Sequence, residues 1–364
     1  MALYVQRCRR LAESAIERFS LDLRGLVVLT EAATHHYSLT PLIAALAGAD
    51  RVIVLGRDSR HGSFAKVRDE VLNLADTWGV KDRLLVTDNR RDASIAEADV
   101  VTNLGFVRPL DADFLSHLKK TVALPLMWET WEFRAQDMDI GACRRLGIPV
   151  LGTNEGHPDL GTIDYLGPVA IKLLFELEVE VLRSRVVVVG SGKFITPIRL
   201  ALLAAGAELV DVVVPTKEMG RLDCWSRADA IVFAEHRVPD QLLGTAGWLD
   251  PAWLANINSA IGIAHICGNV DEASLKNNGL RYTPAPMAGF GYMSVTTDFV
   301  GPRPLIDLHA AGLRVGELLA RLRLKGVPAS EAEIQVLDQC PLAQGFEGVH
   351  ATMSLGHLEN GRSG

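Results

Sequence analysis

The sequence predicts an α/β protein made of two Rossmann-like domains, each a doubly wound parallel sheet, with a crevice between them. Short β-rich runs alternate with helical stretches from residue 25 to about residue 285. The runs are apolar nearly throughout, which is typical of parallel strands buried on both faces. A strand–loop–helix–strand pattern also occurs twice. With 364 residues, 48% of them hydrophobic, the chain can form two such cores.

Apolar runs bounded by turn residues define the predicted strands. We expect strands at residues 26–30, 51–55, 83–87, 98–103, 121–127, 148–152, 185–190, 209–214, 229–234 and 260–266. Helical stretches separate most of them, so parallel pairing is expected.

The two predicted domains open in the same way. TPLIAALAGADRVIVL (40–55) resembles TPIRLALLAAGAELVDVVV (196–214). In each segment a threonine followed by proline predicts a capped helix N-terminus, with Thr40 or Thr196 as the N-cap. The similarity indicates either two related β-loop-α-β units or the ordinary likeness of any two such units.

Glycine- and proline-bearing loops and a late helical pattern suggest three segments. Residues 1–160 are predicted to form a flavodoxin- or Rossmann-like substrate domain, and residues 161–302 a Rossmann nucleotide-binding domain. Residues 303–364 are predicted to form a helix that returns to the first domain, followed by a mobile tail from about residue 340.

Composition excludes several functions. The net charge is −7 and no basic run is present, so nucleic-acid binding is not expected. The N-terminus is typical of an amphipathic helix rather than a signal peptide, and no apolar run reaches the roughly 20 residues of a membrane helix. The expected location is the cytoplasm.

The five cysteines form no CxxC pair, which indicates neither a disulfide framework nor a metal site. A homodimer is expected from base rates.

The stretch RVVVVGSGKFITPIRL, from residue 185, resembles the start of a dinucleotide site. Gly190 and Gly192 supply the tight turn and the close approach of a pyrophosphate to the backbone. Ile195 stands where a third glycine is usual, which predicts a longer loop and a later helix start. The cofactor-binding candidates in this loop are Gly190, Ser191, Gly192, Lys193, Phe194 and Ile195. Free N–H groups at the helix start would bind phosphate.

The acid that binds the ribose hydroxyls of NAD is missing. It should stand at about Val213, or at Pro215 if the loop is longer. Thr216 and Lys217 follow, and they either favour the 2′-phosphate of NADP or form a solvated turn. The predicted cofactor is therefore NAD or NADP, with S-adenosylmethionine as the alternative.

Four stretches in the part of the chain from residue 121 onward match a known pattern. They are QDMDIGACRRLGIPVLGTNEGHPD (136–159), GTIDYLGPVAIKLLFEL (161–177), ICGNVDEASL (266–275) and YTPAPMAG (282–289). In these stretches the chain resembles the D-2-hydroxyacid dehydrogenases and their wider superfamily, which includes alanine dehydrogenases, S-adenosylhomocysteine hydrolases and dipicolinate synthases. This resemblance implies two Rossmann-like domains and a nicotinamide cofactor, in a divergent member.

The departures from that family concern catalysis. The position of its substrate-binding arginine falls on Ile266 or Cys267, and that of its acid/base histidine falls on Ala285. The catalytic arginine and histidine of the family are therefore missing at both matched positions. His265 is one residue away from the lost arginine, and it either takes over a proton-transfer or cofactor-binding role or is a buried strand histidine.

Ligands of open α/β sheets lie beyond the carboxyl ends of the strands, and several candidates fall there. Glu155 and His157 are predicted to form an acid/base pair, and His36 and Glu129 are further catalytic candidates. His236 and Cys267 are candidates for the cofactor side. Each of these residues could instead serve in a turn or in packing.

Together these features predict an NAD(P)-dependent oxidoreductase acting on a small, anionic substrate in the crevice. The alternatives are a transferase or lyase that uses S-adenosylmethionine or another nucleoside ligand on the same fold, and a non-catalytic pseudoenzyme.

Overall fold

The protein is described by a computed structural model that covers residues 2–59 and 62–346. The chain divides into two units, residues 1–160 with 305–364, and residues 161–304. None of the helices in the described ranges is long and apolar enough to cross a membrane.

Unit 1 begins with alternating strands and helices. These elements are α1 (Ala2–Arg18), β1 (Val27–Glu31), α2 (Thr40–Leu46), β2 (Arg51–Leu55), α3 (Phe64–Trp78), β3 (Leu84–Thr87), β4 (Val100–Val101), α4 (Ala112–Ser116), β5 (Leu124–Pro125), α5 (Ile140–Leu146) and β6 (Val150–Thr153).

Unit 2 continues the same alternation. Its elements are α6 (Leu166–Glu176), β7 (Arg185–Val189), α7 (Ile195–Ala204), β8 (Leu209–Val213), β9 (Ala230–Ala234), α8 (Pro251–Ile257), β10 (Gly262–Cys267), α9 (Glu272–Asn277) and β11 (Arg281–Thr283). The chain then forms α10 (Arg303–Leu324), α11 (Ala329–Gln339) and β12 (Ala343–Gln344), which complete unit 1 from residue 305 onward.

The sheet of unit 1 has the strand order β3-β2-β1-β4 followed by β5-β6-β12, and a parallel bridge between Val100 and Ala123 joins the two parts. All neighbours pair in parallel except β12, which runs antiparallel to β6. Helices α1, α2, α3, α10 and α11 contribute to one core, and α4 and α5 contribute to the other. The sheet is therefore doubly wound.

The sheet of unit 2 has the order β11-β10-β9-β7-β8, and every pair is parallel. Helices α6 and α7 pack on one face, and α8 and α9 pack on the other. The predicted α/β class with two doubly wound sheets is confirmed, and each of the predicted strands is present.

Several details of the prediction are wrong. β4 and β5 hold only two residues each. Backbone bonds reach one residue further in each case, from the Thr102 N–H to Leu29 O at 3.0 Å and from the Leu126 N–H to Leu151 O at 2.8 Å. The next N–H along, that of Met127, donates to the Asn103 side chain at 2.9 Å rather than to a neighbouring strand. β8 is not buried on both faces, since it is the last strand of its sheet and Leu209 is 44% exposed. β11, β12 and α11 were not predicted. The predicted mobile tail begins with β12, and its residues 347–364 lie outside the described residues.

The two threonines predicted as helix caps lie inside their helices. A 3-10 turn, His35–Leu39 or Gly192–Phe194, precedes each helix, so α2 begins at Thr40 itself and α7 begins one residue before Thr196. The Thr40 hydroxyl instead bonds the buried His309 Nδ1 at 2.7 Å. The 3-10 turn at Gly192–Phe194 is the longer loop that Ile195 predicted.

Two glycines let α10 lie close to the unit 1 sheet. A Cβ at Gly312 would lie 2.7 Å from Met127 Cε, and one at Gly316 would lie 2.7 Å from both Pro125 Cγ and Val100 Cγ1. Because the proline ring is rigid, the second contact cannot relax by a rotamer change. Helix α10 is thus held against β4 and β5 at a distance that only glycine permits.

We expect Gly316→Val to destabilise the protein by about 1–3 kcal/mol, the usual cost of overpacking a core. Valine at the exposed Ala204 of α7 is the control, because it costs only the helix propensity difference of roughly 0.5 kcal/mol. Urea unfolding measures both variants. Equal losses in the two would contradict the close packing of α10.

Candidate functional site

The loop after β7 lies at the point where the unit 2 sheet reverses its winding. β7 has β8 on one side and β9 on the other, and ligands of such sheets bind beyond the carboxyl ends of strands at that point. A Cβ at Gly190 would lie 2.6 Å from Ala234 O and 2.7 Å from Ile195 Cδ1. Because residue 190 is glycine, the loop touches the end of β9, and the Ile195 side chain packs over Gly190.

Gly192 has a left-handed φ of 70°, which glycine adopts at little cost. A Cβ at this position would lie 2.9 Å from Arg237 Cζ, so the guanidinium lies directly over the loop. The buried Phe194 ring stacks on His236, with ring centroids 4.3 Å apart. The structure thus brings together these predicted cofactor residues with one that sequence reasoning missed, Arg237.

Glu235 holds the segment that carries Arg237. Its side chain is fully buried, and Oε1 accepts the backbone N–H groups of Arg237 at 2.6 Å and Val238 at 3.2 Å. Oε2 has no hydrogen-bond partner among the described residues. Burial, together with the Glu235 charge, raises the pKa of the Cys267 thiol to about 12, so this predicted cofactor residue is a protonated, buried thiol.

His265 is fully engaged within the fold. Its Nδ1 bonds Ser294 Oγ at 2.6 Å, and its Nε2 bonds Gly268 O at 3.0 Å. Burial lowers the pKa of the imidazole to about 4, so the ring is neutral. This geometry holds the chain near Ser294 in place and favours the buried-histidine interpretation, while a catalytic role stays a prediction.

The end of β8 also lacks the acid that would bind the ribose hydroxyls of NAD. β8 ends at Val213, and no carboxylate follows it as far as Pro215. Thr216 and Lys217 are exposed, and the Met219 N–H closes a turn on Thr216 O at 3.0 Å. Ser191 and Lys193 lie half-buried in the loop. The choice between NAD and NADP stays a prediction.

Unit 1 has a reversal point of its own between β1 and β4, and Glu31 ends β1 there. Glu31 is buried, and its Oε2 accepts the Phe106 N–H at 3.0 Å. A Cβ at Gly105 would lie only 2.7 Å from that oxygen, so a side chain at this position would displace the carboxyl group. Burial raises the pKa of Glu31 to about 7, although the Phe106 N–H and the positive charge of Arg108 lower it.

Arg108 lies beside Glu31 but pairs with another acid. Its Nη1 lies 2.6 Å from Asp137 Oδ2, and its guanidinium lies 5.3 Å from the Trp128 ring centroid. Because Asp137 takes the salt bridge, Glu31 is left without a full counter-ion. The signal that marks Glu31 in the sequence is its position at the end of an apolar strand, a few residues before His35 and His36.

Three acids lie together beyond β5 and β6. Glu132 is hydrogen-bonded to Glu155, and burial together with the negative charge of Glu129 raises the pKa of Glu132 to about 7. Trp131 Nε1 donates to Glu129 Oε2. Two of these residues, Glu129 and Glu155, were predicted site residues.

The predicted Glu155–His157 pair is not formed. A tight turn, in which Asn154 O accepts the His157 N–H at 3.1 Å, directs the histidine to its own chain, and His157 Nδ1 accepts the Asp159 N–H at 3.2 Å. Glu155 bonds Glu132 instead.

His36 lies on the 3-10 turn His35–Leu39 and faces α1. Its Nε2 bonds the Tyr4 hydroxyl at 2.6 Å, beside a cavity of about 280 Å³ that Cys8 and Leu74 also line. Its catalytic role stays a prediction.

Within residues 2–59 and 62–346 no group of three His, Cys, Asp or Glu side chains could hold a metal ion.

Comparison with known proteins supports the fold and leaves the activity open. No protein-family model matches the chain, and no curated protein matches it significantly. A dipicolinate synthase structure from Bacillus subtilis matches with a TM-score of 0.50 at 13% identity, over 86% of this chain and 100% of that one. A second dipicolinate synthase structure, from Bacillus halodurans, matches with a TM-score of 0.48 at 9% identity, over 84% and 99%. An NAD⁺-bound 3-phosphoglycerate dehydrogenase from Entamoeba histolytica matches with a TM-score of 0.43 at 10% identity, over 85% and 98%.

The match to the Bacillus subtilis structure shows that this chain has the same fold as that protein. The resemblance noted in the sequence is therefore confirmed at the level of fold. The cofactor, with S-adenosylmethionine as the alternative to NAD or NADP, stays a prediction. The predicted substrate position between the two units stays a prediction.

Glu31 makes stability depend on pH in a defined direction. Its carboxyl has a pKa of about 7 in the folded protein against 4.5 in the unfolded chain, so the folded state holds its proton more tightly. The unfolded state ionises first as the pH rises from 5 to 7, and the free energy of unfolding falls. We expect Glu31→Gln to remove this loss, so that its stability relative to wild type rises by up to about 3 kcal/mol between pH 5 and pH 8.

Urea unfolding at pH 5, 6, 7 and 8 measures this difference. Glu180→Gln, at an exposed glutamate of unit 2, is the matched control and should follow the wild type at every pH. A constant difference between Glu31→Gln and wild type would contradict the raised pKa.

Proposed function

We propose that this protein is an NAD(P)-dependent oxidoreductase in which unit 2 holds the dinucleotide and which acts on a small anionic substrate. The observation that carries the proposal is the loop from Gly190 to Ile195, which touches the end of β9 and lies beneath the Arg237 guanidinium. A glycine turn at the reversal point of a parallel sheet, followed by a helix, is how dinucleotide sites bind pyrophosphate.

The residues present fit such a group. The backbone N–H groups of the Gly192–Phe194 turn and the start of α7 supply donors and a positive dipole end. Arg237 supplies a guanidinium, which binds phosphate oxygens in a fixed fork geometry. When bound, a nicotinamide dinucleotide supplies hydride transfer, while the chain binds and orients it and excludes water.

The ligand is tested directly by titrating the protein with NADH and, separately, with NADPH, and by following the fluorescence of the bound nicotinamide. The two titrations are kept apart because the exposed Lys217 follows β8, where a 2′-phosphate would be recognised. Saturable binding of either dinucleotide supports the proposal. No binding at millimolar concentration of both would contradict it.

Gly192→Ala should weaken dinucleotide binding at least tenfold. The new methyl group would strain a left-handed residue and displace the guanidinium of Arg237. Gly279→Ala is the matched control, because Gly279 lies in the same unit with a φ of 68° and nothing within 4 Å of its Cβ position. Equal affinities for the two variants would show that the loop is not the binding site.

Arg237→Ala should raise the dinucleotide Kd about tenfold or more, since a hydrogen bond to a charged group contributes roughly 1.5–3 kcal/mol. Arg199→Ala removes an exposed arginine from α7 and should leave the Kd unchanged. If Arg237→Ala binds as tightly as Arg199→Ala does, the guanidinium has no part in nucleotide binding.

A further inference from the structure

We propose that unit 1 binds a small, neutral, largely apolar molecule in the cavity between α5, β6 and α11. This inference goes beyond the proposed function, since it concerns a second ligand site. The cavity belongs to unit 1 alone, and it has no residue in common with the nucleotide loop of unit 2.

The cavity exists because β12 is too short to cover the whole edge of β6. Only Thr153 and Gly152 of β6 pair with β12, while Val150 and Leu151 line the cavity. The Val150 N–H donates to Glu333 Oε1 of α11 at 2.7 Å, so a side chain bridges the edge where a strand would otherwise lie. A gap therefore remains between α5 and α11 at this edge of the sheet.

The walls of this cavity are mostly apolar, and its size suits a small molecule. Its volume is about 380 Å³, within the range of roughly 300–1,000 Å³ that is usual for ligand pockets. Ile148 is buried in the lining, and Ile334 and Phe346 complete its apolar part. Burial, together with the negative charge of Asp139, raises the pKa of the Cys143 thiol to about 12, so this cysteine adds a protonated, apolar surface.

Two charged side chains of opposite sign line the cavity and argue for a neutral ligand. Arg144, exposed on the last turn of α5, makes no salt bridge or side-chain hydrogen bond with the described residues. Glu333, on α11, uses one carboxyl oxygen for the Val150 N–H. An anion would meet the Glu333 carboxylate, a cation would meet the Arg144 guanidinium, and either would lose hydration against the apolar walls. A neutral molecule avoids both costs.

The same edge of the sheet does not suit an extended peptide. A peptide that adds to a sheet edge needs free backbone N–H and C=O groups on the strand beside it. The Val150 N–H is already bonded to Glu333, and β12 takes Gly152 and Thr153. The occupant we infer is therefore a small molecule rather than a strand of another chain.

The test uses N-phenyl-1-naphthylamine as a neutral apolar probe and follows its fluorescence, excited at wavelengths that tryptophan does not absorb. 8-Anilino-1-naphthalenesulfonate is titrated in parallel, because it has the same ring system with an added sulfonate. We expect the neutral probe to bind at one saturable site and at least about tenfold more tightly than the anion. Absence of saturable binding, or tighter binding of the anion, would overturn the proposal.

Substitutions in α11 locate the site. Ile334→Trp and Ala329→Phe enlarge two lining residues, and each should raise the Kd of the neutral probe at least about tenfold. Neither position is fully buried, so both variants should fold, and circular dichroism checks this. Leu324→Trp is the matched control, because Leu324 and Ile334 are both 50% exposed and Leu324 lies outside the cavity lining. Unchanged affinity in both α11 variants, or equal losses in all three proteins, would overturn the proposed site.

Removal of the Arg144 charge tests the chemical class of the ligand. Arg144→Gln should leave the Kd of the neutral probe within about twofold of the wild-type value, because a neutral molecule makes no charge-paired hydrogen bond with the guanidinium. A loss of about tenfold or more in this variant would show that the guanidinium recognises the ligand, and it would overturn the neutral class.

The two proposals fail separately. Saturating NAD⁺ or NADP⁺ should not displace the neutral probe, since the cavity and the nucleotide loop lie in different units. Displacement by either dinucleotide would place the probe on the nucleotide loop and overturn the cavity site. Dinucleotide binding without probe binding would leave the proposed function standing, and the reverse result would leave only the cavity site.

Discussion

The approach of Gly190 to the end of β9 is the contact on which the rest of the unit 2 site depends. Because no Cβ is present, the backbone after β7 reaches Ala234 O, and the Ile195 side chain packs over the same glycine. The 3-10 turn Gly192–Phe194 follows from this path and starts α7. The isoleucine that looks like a defect in a dinucleotide fingerprint is therefore the residue that packs over the turn.

Both units use the same combination of residues at the reversal point of their sheets. In unit 1, Glu31 is buried beside Gly105, and Arg108 follows. In unit 2, Glu235 is buried at the end of β9, and Arg237 covers Gly192.

In each case a backbone N–H donates to one carboxyl oxygen, and the other oxygen makes no hydrogen bond within the described chain. Buried acids of this kind are costly unless a partner or a proton compensates them, and such residues are concentrated at functional sites.

The fold could be predicted from the sequence because long apolar runs and helical spacing repeat along most of it. The predictions that failed concern contacts between residues that lie far apart in the sequence. Thr40 could not be recognised as a partner of His309, because 269 positions separate them. β12 is too short to show a pattern, and it exists only because β6 lies beside it.

The site was predicted in part. Gly190 and Gly192 were found from the spacing of glycines after an apolar strand, and this spacing reports local backbone geometry. Arg237 was not selected, since its position over Gly192 depends on β9 lying beside β7. The pairing of Glu155 with Glu132 rather than His157 depends on a turn whose direction the sequence does not show.

The central claim is that a dinucleotide binds on the loop after β7. Hydrogen exchange measured by mass spectrometry, with and without saturating NADH or NADPH, tests it most directly. The claim predicts slower exchange of backbone amides in residues 190–195 and 235–238, with no change in residues 84–87 of the β3 strand. Unchanged exchange in both loop segments, or protection confined to other parts of the chain, would contradict it.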